Sequence, residues 1–262
     1  MTLKVRPFLT IAALAALLVA VVLPSVATAT NSWGGYHWAR TTPSFTLKLG
    51  NNTSGSWSAD LATVASDWSQ STVLDTTVVA GGTRAKVCRP TSGRVEVCSA
   101  NYGNTGWLGV AQIWISGGVH ITQGTVKNND YYFGSSTYPY NNRAEKLHVI
   151  CQEVGHILGL DHQSTNGSSL NTCMDYYHNT SATDTLSTHP NQHDYDELGI
   201  IYGHLDSGTT VAASPAATAA AVLDAPSEWG KLVSVSKDGR SATYERDFGG
   251  GSKVATFVIW TR

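Results

Sequence analysis

The order of apolar and polar positions divides the chain into strand-like and helix-like stretches behind an apolar start. At 44–50, "SFTLKLG" alternates the two classes and runs into Gly50-Asn51-Asn52, the pattern of a half-buried strand that ends in a turn. At 55–70, Trp57, Leu61, Val64 and Trp68 recur at spacings of four, three and four, which lines one face of a helix. Further strands are predicted at 72–80, 84–89, 94–98, 109–115 and 120–128, separated by Gly-rich and Asn-rich turns, and further helices at 143–158 and 192–204. Near 206 the pattern dissolves into "SGTTVAASPAATAAAV", so 207–226 reads as an Ala/Ser/Thr linker. Beyond it, "KLVSVSKDGRSATYERDF" and "KVATFVIW" read as short strands joined by Asp238-Gly239 and Gly249-Gly250-Gly251. Residues 227–262 are too few to bury much core alone and are expected as a small β appendage packed on the main domain.

The beginning of the chain changes the compartment. Lys4 and Arg6 precede an apolar run from Phe8 to Leu23, and "ATA" at 27–29 is a small-x-small site. That layout is a secretory signal peptide over 1–29, cleaved after Ala29, because the run is short of the ~20 residues that span a membrane. The remaining chain, one main domain over 30–206 with its appendage, is therefore expected outside the cell and free of the membrane. A formal net charge of −2 argues against nucleic acid or an anionic membrane as partner. Four cysteines in an exported chain suggest two disulfides. Cys88 and Cys98 flank "RPTSGRVEV", whose turn signal makes a bridge across a hairpin the simplest pairing, leaving Cys151 to Cys173. Sequence alone permits three pairings.

The chemistry is concentrated in "CQEVGHILGLDH", residues 151–162. On a helix, Gln152 and His156 are i and i+4 and project from one face, while Glu153 lies about 100° round, beside any cation they hold. Gly159 is placed to end the helix in a left-handed conformation and let the chain bring His162 to the same point. "CMDY" follows at 173–176. The other histidines, His37, His120, His178, His189, His193 and His204, have no chelating spacing with this stretch and read as surface or hydrogen-bonded groups.

Glu153-x-x-His156-x-x-Gly159-x-x-His162 with a later Met174 resembles the metzincin clan of zinc endopeptidases, whose pattern is H-E-x-x-H-x-x-G-x-x-H followed by a Met-turn. The likeness covers about 44–204 and is closest to matrixin-like and astacin-like secreted bacterial members. It implies an α+β catalytic domain with a twisted, mostly parallel sheet, an antiparallel edge strand, an active-site helix and a Met-turn. It also implies a zinc-dependent metalloendopeptidase acting on protein or peptide substrate, taken as a monomer. Glu153 would be the general base toward a zinc-activated water. Gln152, His156 and His162 would hold the metal, and Met174 would lie beneath it. By the same resemblance Tyr176 is an additional ligand or transition-state stabiliser, against the plainer reading of a core tyrosine, and an extended peptide would pair with the edge of the strand at 109–115.

Gln152 is the departure, since a histidine stands there in the clan. Its carbonyl oxygen can take the place of an imidazole nitrogen, as a weaker donor to zinc. His148 lies ~12 Å along the helix axis from His156 and Cys151 points about 140° away, so both are poorer substitutes. The rival function is a catalytically silent secreted binding module on the same scaffold, for which loss of one ligand would be the first step.

Overall fold

The computed structural model describes residues 1–2, 31–164, 166–179, 181–213 and 221–261. The apolar run and cleavage site of the expected signal peptide lie outside the described residues.

The architecture is α+β: a mixed sheet with helices against it. Strands β1 (His37–Trp38), β2 (Phe45–Asn52), β3 (Leu74–Ala80), β4 (Val95–Ala100), β5 (Trp107–Ser116) and β6 (His120–Asn129) come first. Near the C terminus follow β7 (Lys231–Val235), β8 (Ser241–Gly249) and β9 (Ser252–Trp260). All join one sheet in the order β3-β2-β4-β6-β5-β9-β8-β7, with β1 paired to β6. The β3-β2-β4-β6 half is parallel, and every pairing from β6–β5 onward is antiparallel.

The helices are α1 (Ser56–Trp68), α2 (Asp130–Phe133), α3 (Arg143–Ile157) and α4 (Gln192–Ile201). The spacing that predicts α1 is the spacing of its buried face, since Trp57, Leu61, Val64 and Trp68 are all within 2% of full burial. In β2 the alternation sends Phe45, Leu47 and Leu49 into the same core. A four-residue helix such as α2 is too short for periodicity to reveal.

Two expectations need correction. Residues 84–89 form a turn, with the Val87 and Cys88 amides donating to Arg84 O, and not a strand. The Cys88–Cys98 bridge therefore ties a turn to β4 and closes no hairpin. The larger correction concerns the edge of the sheet. The resemblance implies that the strand at 109–115 borders an open cleft, yet β5 lies between β6 and β9. The sheet is thus half antiparallel, and its antiparallel strand is interior.

The reason is visible in the tail's own side chains. Ala255, Phe257 and Ile259 of β9 enter the main core, while Val254 and Val258 join Trp107, Val110, Trp114, Leu223 and Trp229 on the other face. A strand apolar on both faces is covered on both, and pairing with β5 provides that. The appendage at 227–262 is accordingly built into the main sheet. Of the span read as linker, Thr210 and Ala212 donate to Ala39 O and Gly93 O, Leu223 is buried, and 214–220 lie outside the described residues.

Candidate metal centre

Helix α3 carries Gln152, Glu153 and His156, all within 1% of full burial. Asn142 caps its start by accepting from Glu145 N. At its end, Trp38 Nε1 and Tyr202 Oη donate to the carbonyls of Ile157 and Leu158, each at 2.9 Å. Gly159 then turns the chain with φ 101°, where a Cβ would strike Tyr36 O. The N-terminal segment braces the turn: Trp33 N donates to Gly159 O at 3.1 Å, and Asn31 Nδ2 donates to Asp161 O at 2.9 Å.

The turn brings His162 Nε2 to 3.1 Å from His156 Nε2. Each ring is held from behind. His156 Nδ1 lies 2.9 Å from Leu160 O, and His162 Nδ1 lies 3.0 Å from Asp161 Oδ1. Both acceptors lack hydrogens, so each neutral ring carries its proton on Nδ1 and presents a bare Nε2. Burial, then the neighbouring His162, pushes the His156 pKa down to about 3, so no proton on His156 relieves the contact. Two lone pairs facing each other at this separation fit a cation between them, with the carbonyl and carboxylate orienting the ligands from outside. Burial alone would raise the Asp161 carboxyl, but its hydrogen bond to His162 and the two nearby imidazoles hold it below the usual range.

Glu153 adds a second sign of fit. It is fully buried, burial pushes its carboxyl well above the ordinary range, and neither carboxylate oxygen has a hydrogen-bond partner among the described residues. The backbone of Ala111 in β5 offsets part of that rise. An orphaned buried carboxyl is costly unless a reactant, water or ion completes it. The space it occupies exists because residue 109 is glycine: a Cβ there would lie 2.7 Å from Glu153 Oε1 and 2.6 Å from Val149 Cγ1.

Gln152 Nε2 donates to Cys173 O at 2.8 Å and to Asp175 O at 2.6 Å, with His148 Nε2 at 3.3 Å. Two carbonyl acceptors fix which end of the amide is nitrogen, leaving Oε1 as the atom with which Gln152 could serve a cation. His148 is buried against the same carbonyl, 3.3 Å from Asp175 O. The Cys151–Cys173 disulfide and a bond from Gln163 N to Met174 O at 2.7 Å hold 173–176 under the helix. Met174 is fully buried there, with its sulfur where a Cβ on Gly155 would stand. The Tyr176 ring lies 4.2 Å from that of His162, centroid to centroid. Burial, with Asp161 and Asp238 nearby, pushes its phenol upward, so it stays a neutral donor.

Sequence reasoning missed what covers this centre. The Phe257 ring of β9 stacks flat on His156, centroids 4.1 Å apart and planes within 7°. Nothing local marks that contact, since it joins positions a hundred residues apart. It also missed that His37, His204 and Asp206 converge into a group that could hold a metal. Of the remaining histidines, His178 pairs with Glu145, and His189 with Asp67 at 2.7 Å.

No protein-family model matches the sequence, and no curated protein matches it. Among solved structures, the chain is similar to High choriolytic enzyme 1 (HCE-1), a hatching enzyme zinc-protease from Oryzias latipes (Medaka fish). The identity is 12% and the TM-score 0.33, over 65% of this chain and 96% of that one. At that similarity the likeness carries no weight beside the site's own geometry.

Proposed function

We propose that the chain is a secreted zinc-dependent peptidase of metzincin type, with His156, His162 and Gln152 Oε1 as ligands. The observation that supports it best is the pair of bare Nε2 atoms 3.1 Å apart beside an orphaned Glu153 carboxyl. A zinc ion held there would supply the Lewis acidity that polarises a peptide carbonyl and acidifies water. Glu153, in a buried site with no side-chain donor on it among the described residues, takes a proton from the attacking water and returns it to the leaving amine. Tyr176 donates its phenolic proton toward the developing oxyanion, and Asp161 and Leu160 O keep the two rings in the ligating tautomer. Met174 sets the height of the carbonyls that hold Gln152. Two disulfides suit an oxidising compartment, and among the described residues no helix is long and apolar enough to cross a membrane.

Hydrolysis of a mixed peptide library, read with metal content, tests this. Glu153→Ala is expected to lower turnover by ~10²–10⁴-fold while metal content stays at the parent level. Equal turnover in the two proteins refutes the role of Glu153.

A second reading has its own support. With β9 on β5 and Phe257 on His156, the strand expected to receive substrate is already paired and one ligand is capped. A silent module, retaining the scaffold and metal without turnover, would look the same. A parent protein that binds zinc and cleaves nothing in the library favours it.

A further inference from the structure

Away from α3, three donor atoms converge that no sequence spacing connects. His37 belongs to β1, while His204 and Asp206 stand either side of Leu205 on the chain leaving α4. His37 Nε2 lies 3.2 Å from His204 Nε2 and 3.4 Å from Asp206 Oδ1, and the third side, His204 Nε2 to Asp206 Oδ1, is 3.7 Å. The circle through these atoms has a radius of about 2.0 Å, so an ion just off their plane reaches all three at zinc–nitrogen and zinc–oxygen bond lengths of ~2.0–2.2 Å. His120, the first residue of β6, brings its Nε2 to 3.1 Å from the same carboxylate oxygen.

The donors are aimed, which separates this group from a chance cluster. His37 is buried, and its Nδ1 lies 2.7 Å from Gly35 O, a pure acceptor, so the proton sits on Nδ1 and Nε2 is bare. Asp206 is fixed twice to Arg40: Oδ2 accepts from Arg40 N at 2.9 Å, and its own amide donates to Arg40 O at 2.8 Å. That leaves Oδ1 facing the imidazoles. The bare His37 nitrogen and the carboxylate oxygen are both acceptors, so their contact at 3.4 Å holds no hydrogen bond of its own. Two arrangements satisfy the pair: a cation shared with His204, or separate hydrogen bonds from His204 Nε2 to His37 Nε2 and from His120 Nε2 to Asp206 Oδ1.

We propose that His37, His204 and Asp206 form a structural zinc-class cation site that staples the N-terminal segment to the exit of α4. Imidazole nitrogens with one carboxylate oxygen suit zinc and not calcium or magnesium. The staple closes a chain loop from residue 37 to residue 204. It also holds in place the segment whose Asn31 and Trp33 brace the turn of His162. It does not depend on the peptidase reading.

The test uses the full-length protein, stripped of metal, reloaded with zinc and dialysed, with zinc per chain and melting temperature measured. His204→Ala removes a half-exposed side chain and leaves the core untouched; Asp206→Asn keeps shape and removes charge. Each is expected to lose about one equivalent relative to the parent, together with part of the zinc-dependent rise in melting temperature. His204→Cys, which restores a donor, is expected to recover both. His156→Ala separates the two centres: a loss there that is additive with His204→Ala supports two independent sites. If the parent holds one equivalent that His204→Ala removes and His156→Ala does not, the staple stands and the α3 site fails. Zinc content unchanged by His204→Ala and by Asp206→Asn overturns the staple and leaves a hydrogen-bonded histidine cluster.

Discussion

Gly155→Ala sets two effects of opposite sign against each other. Gly155 lies inside α3, between Glu153 and His156, where helix propensity favours alanine by about 1 kcal/mol. On propensity alone the substitution stabilises. The added Cβ, however, would overlap Met174 Sδ, lie 2.8 Å from Trp68 Cζ2 and lie 3.1 Å from Met174 Cε. Met174 and Trp68 are both fully buried, so neither has room to retreat. Overpacking of this kind costs about 1–3 kcal/mol. The net expectation is a loss of about 1 kcal/mol, read as a lower urea midpoint of the metal-free, disulfide-intact protein. A displaced Met174 also moves the Cys173 and Asp175 carbonyls that anchor Gln152, so zinc affinity is expected to fall as well. Trimming the partner should restore part of it: in a Met174→Ala background, Gly155→Ala is expected to regain its helix advantage, with a coupling of roughly 0.5–3 kcal/mol. A Gly155→Ala protein more stable than the parent, with unchanged zinc affinity, refutes the packing argument.

Other expectations follow from single contacts. Phe257→Ala removes a fully buried ring and should cost about 3–5 kcal/mol of stability, yet it uncovers His156. Peptide turnover per folded molecule is expected to rise, and turnover that stays level or falls denies the ring a covering role. Gln152→His should bind zinc more tightly than the parent, because imidazole is the stronger donor; a chelator competition showing equal affinity removes Gln152 from the ligand set. Glu96 gives the pH dependence. Burial alone would raise its carboxyl, but hydrogen bonds from Thr91, Asn52, Gly82 and Arg94 hold it below its usual 4.5. A folded value under the unfolded one means stability that is present above about pH 4.5 and lost as the pH falls through the folded value. Glu96→Gln should therefore melt lower than the parent at neutral pH, with the gap closing below about pH 4.5, and a gap constant down to pH 3 contradicts it.

The parts of the molecule legible in the sequence are those set by near neighbours along the chain. The buried face of α1 follows from four residues at helical spacing. The stop at Gly159 follows from a conformation that side chains disfavour, and the nearness of His156 to His162 follows from that stop. The Cys88–Cys98 pairing was legible as well, although the hairpin meant to explain it is absent. The tertiary structure alone decided that β5 would be an interior strand, because β9 begins about a hundred and forty residues after β5 and its two-sided apolar character has meaning only beside a partner. It alone decided that Phe257 would cap His156, and that Glu153 would lie buried in the space left by Gly109. His37 and His204 show the limit most plainly: each reads as an ordinary polar residue, and 167 positions separate them. Periodicity and local turn chemistry act over a few residues, whereas the meeting of distant donors is set by the packing of the whole sheet, which no local pattern encodes.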